Sequence, residues 1–208
     1  MAIFKNSIVP LILFCSFLIP FRVHGAVVSL VGDADFSNNT GNSKTVGPQT
    51  GYGGGVLIGF PLAMRLGLET GLLYFNRNWS DTTSGTNSIS SQVFEVPVIL
   101  KIHLFRFFSI GAGGYYASNS GNLSESGSTN NSSLTYSAYG INPYDYGLLG
   151  NVSIHVPLTP GVLFRVDGNY QSGLVNVSSN TNNNFQYRDM SVLAGFTFYF
   201  MERGEHHK

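Results

Sequence analysis

The sequence predicts an all-β fold, an eight-stranded antiparallel up-and-down transmembrane β-barrel. Three observations predict it. Gln92–Leu104 alternates without a break: Phe94, Val96, Val98, Leu100, Ile102 and Leu104 occupy one face, and Glu95, Pro97, Lys101 and His103 the other. A period of two is the signature of a strand with one apolar and one polar face. At ~3.3 Å per residue this strand crosses the hydrocarbon core of a membrane at a tilt. The same alternation recurs along the chain, and the connections alternate between short turns and long polar loops, as in outer-membrane barrels.

The segments follow in order. Val27–Phe36 is the first strand, and the polar stretch Ser37–Gln49 follows it. Tyr52–Phe60 is the second, with Pro61-Leu62-Ala63-Met64 as a short turn into the third, Arg65–Trp79. Ser80–Ser90 is a polar loop before the fourth strand, Gln92–Leu104. Phe105-Arg106-Phe107 turns the chain into the fifth, Phe108–Ala117. The long Ser/Asn/Gly stretch Ser118–Asn142 precedes the sixth, Tyr144–Val156. Pro157–Gly161 is the third short turn, Val162–Val177 the seventh strand, Ser178–Asn184 the last loop and Phe185–Phe200 the eighth strand. An even count places both termini on the short-turn side, which is the periplasmic side in such barrels.

Volume decides which face points outward. One face carries Leu66, Leu68, Leu72, Val152, Ile154, Val156, Val192, Phe196, Phe198 and Phe200. Repeated over eight strands, that row is too bulky for the interior of so small a barrel. The opposite face is rich in small residues: Gly53, Gly55, Gly59, Gly67, Gly71, Gly111, Gly113, Gly147 and Gly195. It also carries the strand charges Glu69, Glu95, Lys101, Arg165 and Asp167. Bulk outside and charge inside is the membrane arrangement, with a narrow polar lumen. Tyr74, Trp79, Tyr116, Tyr146 and Tyr170 near strand ends suit interfacial girdles.

Composition bounds the compartment. The first 25 residues read as a cleaved signal peptide: Lys5, the apolar run Ile8–Phe21, then Val23-His24-Gly25 before the cut. The single cysteine, Cys15, lies inside this segment, so the mature chain forms no disulfide and holds no thiolate metal site. Charged residues make up 11% of the chain and the formal net charge is zero, which argues against a nucleic-acid partner. Residues 26–200 are expected to form the barrel and 201–208 a short polar periplasmic tail.

Chemistry is sparse. The strands contain two histidines, His103 and His155, both beside short turns and far from the Ser- and Asn-rich loops. A hydrolytic site needs a histidine beside a nucleophile and a carboxylate, so no catalytic residues, and no enzyme, are expected. His206-His207 in the tail lacks a third metal ligand. No metal or cofactor is expected. Glu69, Glu95, Lys101, Arg165 and Asp167 are the candidate lumen network, with Lys101 paired to Glu69 or Glu95. Opposite signs in near balance favour a plug that seals the barrel; the alternative is a narrow charged channel. The expected partners are outer-membrane lipids, the barrel-assembly machinery during insertion, and an extracellular ligand at the loops.

The stretches FEVPVILK (Phe94–Lys101), FSIGAGGYYAS (Phe108–Ser118), YDYGLLGNVSI (Tyr144–Ile154) and RVDGNYQSGLVNV (Arg165–Val177) resemble the small bacterial outer-membrane β-barrel domain of PorT-like proteins. The resemblance covers most of the mature chain and implies an eight-stranded barrel of the bacterial outer membrane, not one activity. The last strand resembles the terminal signal read by the barrel-assembly machinery, through Gly195, Phe198 and Phe200. Two departures stand out: Leu193 occupies a usually polar position, and the chain continues through Met201–Lys208.

Overall fold

The computed structural model describes residues 25–41, 46–81, 87–126, 131–134, 142–176 and 185–199. Nine strands are present among them: β1 (Val27–Gly41), β2 (Val46–Ala63), β3 (Leu66–Asp81), β4 (Asn87–Phe105), β5 (Phe108–Ser126), β6 (Asn131–Leu134), β7 (Tyr144–Thr159), β8 (Val162–Gly173) and β9 (Phe185–Tyr199). Eight of these pair with sequence neighbours in an antiparallel ring that β1 and β9 close, from Val27↔Tyr199 to Gly41↔Phe185. Short β6 is a hairpin extension on the loop end of β5, through Leu123↔Leu134 to Ser126↔Asn131. No described residue is helical.

The three short turns fall at Met64-Arg65, Arg106-Phe107 and Pro160-Gly161. Gly161 has φ +88°, a left-handed conformation that glycine adopts without a Cβ clash. Pro97 lies inside β4 and lacks an N–H for the ladder. Pairing of β4 with β3 accordingly skips from Thr70↔Val98 to Leu73↔Glu95 without slipping register.

The strands run beyond the bounds that alternation predicts. β1 continues to Gly41, β2 begins at Val46, β4 begins at Asn87 and β5 reaches Ser126. Much of the expected loops Ser37–Gln49, Ser80–Ser90 and Ser118–Asn142 is therefore ladder. The reason is physical: beyond the bilayer both faces of a strand meet water, so hydrophobic alternation stops while backbone pairing continues. β8 departs the other way and ends at Gly173, short of Val177.

In the body of every barrel strand, odd-numbered residues face the lumen and even-numbered residues face outward. The outward row on β4, Phe94 to Leu104, spans ~33 Å along the strand, or about 25 Å across a membrane at the usual tilt. Leu72, Val152, Ile154, Val192 and Phe196 join it as exposed apolar side chains. Tyr74, Tyr116, Tyr146 and Tyr170 also point outward, all toward the loop end, with Tyr74 packed on Phe94 at 4.8 Å between centroids. The side chain of Trp79 is outside the described residues.

The lumen is not uniformly polar, as the sequence had suggested. An apolar layer fills it: Val31, Leu57, Leu73, Phe75, Val93, Ile99, Tyr115, Ala117, Leu149 and Leu193 form one buried cluster. Glycines on neighbouring strands make the room. A Cβ on Gly55 would collide with Leu73, and one on Gly71 with Leu57. Small and large residues thus alternate across strand pairs, so that a narrow barrel closes around real side chains.

Candidate functional site in the barrel lumen

Two polar clusters lie toward opposite ends of the apolar cluster, whose members Phe75 and Tyr115 also contact the loop-side one. The turn-side cluster contains Glu69 on β3, Lys101 on β4, and Arg165 and Asp167 on β8. Inward phase on three strands turns them into the lumen, and strand pairing brings them to one level. Lys101 Nζ lies 2.7 Å from Glu69 Oε1. Arg165 donates to both oxygens of the same carboxylate, at 2.9 and 3.0 Å, in the bidentate geometry that a planar guanidinium favours. Arg165 also grips Asp167 through Nε and Nη2, and donates to Ser29 Oγ at 2.9 Å. Lys101 Nζ donates to Ser153 Oγ at 3.0 Å and stands 3.6 Å from Asp167.

Hydrogen bonds carry this cluster around the wall. Ser29 pairs with Thr197 at 2.8 Å. Ser153 donates to Asn151, Asn151 to Asn169, and Asn169 to Ser191. Two cations face two carboxylates, and all four side chains are buried. Buried charge is tolerated here because each ion is paired and hydrogen-bonded.

Glu95 does not join them. On β4 it sits six positions loopward of Lys101, ~20 Å along the strand. There it accepts from Gln171 Nε2 at 2.7 Å and belongs to the loop-side cluster. That cluster centres on Arg77, a residue absent from the candidate network. Arg77 is fully buried and meets Asp189 at 2.6 Å, with Asp145 at 3.9 Å. Its guanidinium lies over the Tyr187 ring at 4.3 Å and 5.7 Å from the Phe75 centroid. Tyr115 donates to Asp145 at 2.9 Å, and Ser37 to Asp35. Asp33 and Asp35 point inward from β1. Arg77, Asp33, Asp35, Asp145 and Asp189 all share the odd phase of Glu69 and Lys101, so alternation was the signal for them too.

The remaining candidates lie elsewhere. Gly195 faces inward on β9, where a Cβ would run into the backbone carbonyl of Leu30. Leu193 is completely buried in the apolar layer, which explains a nonpolar residue there. Phe198 faces outward between Val28 and Val162, and Phe200 lies outside the described residues. His103 and His155 line a cavity of about 120 Å³ at the turn end, whose floor is Glu69, Lys101 and Arg165. Among the described residues, no three His, Cys, Asp or Glu side chains are grouped to hold a metal ion.

A closed eight-stranded ring, an apolar exterior and an ionic lumen define a known architecture, and residues 20–199 match the family described as outer membrane protein beta-barrel domain. The chain belongs to this family. Its fold is similar to OprG of Pseudomonas aeruginosa, with a TM-score of 0.57, 12% identity, and 86% of this chain and 97% of OprG covered. Ail, the attachment invasion locus protein of Yersinia pestis, aligns with a TM-score of 0.48 and 9% identity over 83% of this chain and 99% of Ail. No curated protein matches the sequence. The protein is thus an outer-membrane β-barrel, and the PorT-like resemblance is consistent with that family.

Proposed function

We propose that this is a non-enzymatic barrel with a structural and surface-interactive role, sealed through its own lumen and displaying polar loops to the outside. The observation that carries the reading is the Glu69–Lys101–Arg165–Asp167 cluster stacked beneath an apolar layer. Arg165 is 1% exposed and is engaged at Nε, Nη1 and Nη2. An ion crossing there must break several charge-assisted bonds and then pass a layer of leucines and valines. Both termini lie on the periplasmic side, residues 1–25 are removed on export, and Gly195, Phe198 and Phe200 serve recognition by the assembly machinery.

The loops carry Ser, Thr, Asn and Gly and, by sequence, no histidine. That chemistry suits contact with an extracellular ligand through hydrogen bonds, and not hydrolysis. One observation favours a second reading, a narrow channel: the turn-end cavity reaches Glu69, Lys101 and Arg165 and would serve as its entrance. Planar-bilayer recording of refolded protein separates the two. Silence across the voltage range supports the seal. Steady conductance whose ion selectivity reverses on Lys101→Glu establishes the channel instead.

A further inference from the structure

The geometry points to a binding site for an anionic glycerophospholipid on one sector of the turn-end rim, formed by Arg65 and Arg106 with exposed apolar anchors beside them. Met64-Arg65 joins β2 to β3, and Arg106-Phe107 joins β4 to β5. Only β3 and β4 separate these turns, so the two arginines stand about 10 Å apart at ordinary strand spacing. Between them the backbone N–H of His103 donates to the Arg65 carbonyl at 2.8 Å, while the His103 side chain lines the lumen cavity. Both arginine side chains reach solvent.

No exposed carboxylate opposes them among the described residues. Among the described residues, the acids nearest this end are Glu69 and Asp167, both buried and held by Arg165 and Lys101. The described residues of this rim sector are therefore of one sign. The third turn, Pro160-Gly161, carries no charge, so the basic groups belong to one side of the rim and not to turns in general.

Apolar anchors select a lipid over a soluble anion. Met64 is 95% exposed and Phe105 73%, the least covered large apolar side chains of the described residues, with Leu62 and Phe107 also exposed. The Arg106 guanidinium lies 5.6 Å from the Phe107 ring centroid. Phe105 continues the outward row that ends at Ile102 and Leu104, so the patch joins the membrane-facing wall. Basic heads beside apolar side chains at the edge of a membrane wall fit the phosphate and upper acyl chain of an anionic lipid. The loop side differs: Arg188 is the one charged side chain on the outward face of the described strands, and it stands alone.

This inference rests on the turns facing the periplasmic leaflet, where glycerophospholipids lie. Cysteine labelling of turns and loops in intact cells tests that orientation separately. The site itself is tested with the mature full-length barrel in detergent, by native mass spectrometry with phosphatidylglycerol or phosphatidylcholine of identical chains. Wild-type protein is expected to retain phosphatidylglycerol in preference, and rising salt to weaken that retention. Each arginine near an anionic headgroup contributes about fivefold, so R65Q/R106Q should reduce retention on the order of twentyfold. R65K/R106K should keep most of it, and R188Q should leave it unchanged. Equal retention of the two lipids, or no loss in R65Q/R106Q, overturns the site. So does a periplasmic protein captured through these arginines without lipid preference. Salt dependence of the wild type keeps the test decisive if a variant fails to fold.

Discussion

The turn-side and loop-side halves of the lumen hold charge in opposite ways. On the turn side two cations meet two carboxylates, and every one of the four is bonded to another. On the loop side Arg77 is the single described cation among Asp33, Asp35, Glu95, Asp145 and Asp189. Arg77 Nε and Nη1, Glu95 Oε2, Asp145 Oδ1 and Asp189 Oδ1 make no hydrogen bond to protein there, against Asp167 Oδ1 alone among the turn-side four. A balanced network closes on itself. An unbalanced one leans on its only counter-ion and on water reaching the open end. The lesson is that the turn-side half is built as a seal, while the loop-side half depends on one guanidinium.

That difference can be broken at its weakest point first. Arg77→Leu strips Asp189 and Asp145 of the cation they meet, so it should cost the most, about 3–5 kcal/mol. Urea-driven unfolding in micelles, read by the boiling-dependent gel shift, should show the midpoint fall steeply. Arg165→Leu removes one of two cations and leaves Lys101 on Glu69, so its loss should be smaller than that of Arg77→Leu in the same titration. Gly71→Val probes the layer between the halves. Its side chain would collide with the Val56 carbonyl and the Leu57 backbone as well as the Leu57 side chain, so the ladder must shift, and it should cost about 3 kcal/mol by overpacking, with a lower yield of folded barrel. Smallest, Glu69→Gln with Lys101→Met removes a cation and an anion together. It should cost less than Glu69→Gln alone, because the double change strands no charge, and a double-mutant cycle on the same midpoints measures this.

Much of this comparison was legible in the sequence, because it depends on phase. Alternation gave the eight strands, the three short turns, the outward row on β4 and the inward face of Glu69, Lys101, Arg165 and Asp167. What alternation cannot give is register. Glu95 shares the face of Lys101 but not its level, and only strand tilt and pairing bring Gln171 and Arg77 to it. Arg77, Asp145 and Asp189 lie within predicted strands at the inward phase, yet their convergence comes from β3, β7 and β9 meeting across the lumen. The apolar layer was hidden for a related reason. Val31, Leu57, Ile99, Leu149 and Leu193 each interrupt a Gly-rich or polar face singly, and only the closed ring stacks them together. The loop-end strand extensions carried no hydrophobic pattern at all, since both their faces are wet.

Single-channel recording from bilayers holding wild-type protein and, separately, Arg165→Ala tests the central claim most directly, with both samples first shown folded by the gel shift. The account predicts a silent wild type and an ion leak once the arginine that ties Glu69 to Asp167 is gone. Discrete conductance steps from the wild type, unchanged in Arg165→Ala, would contradict the seal.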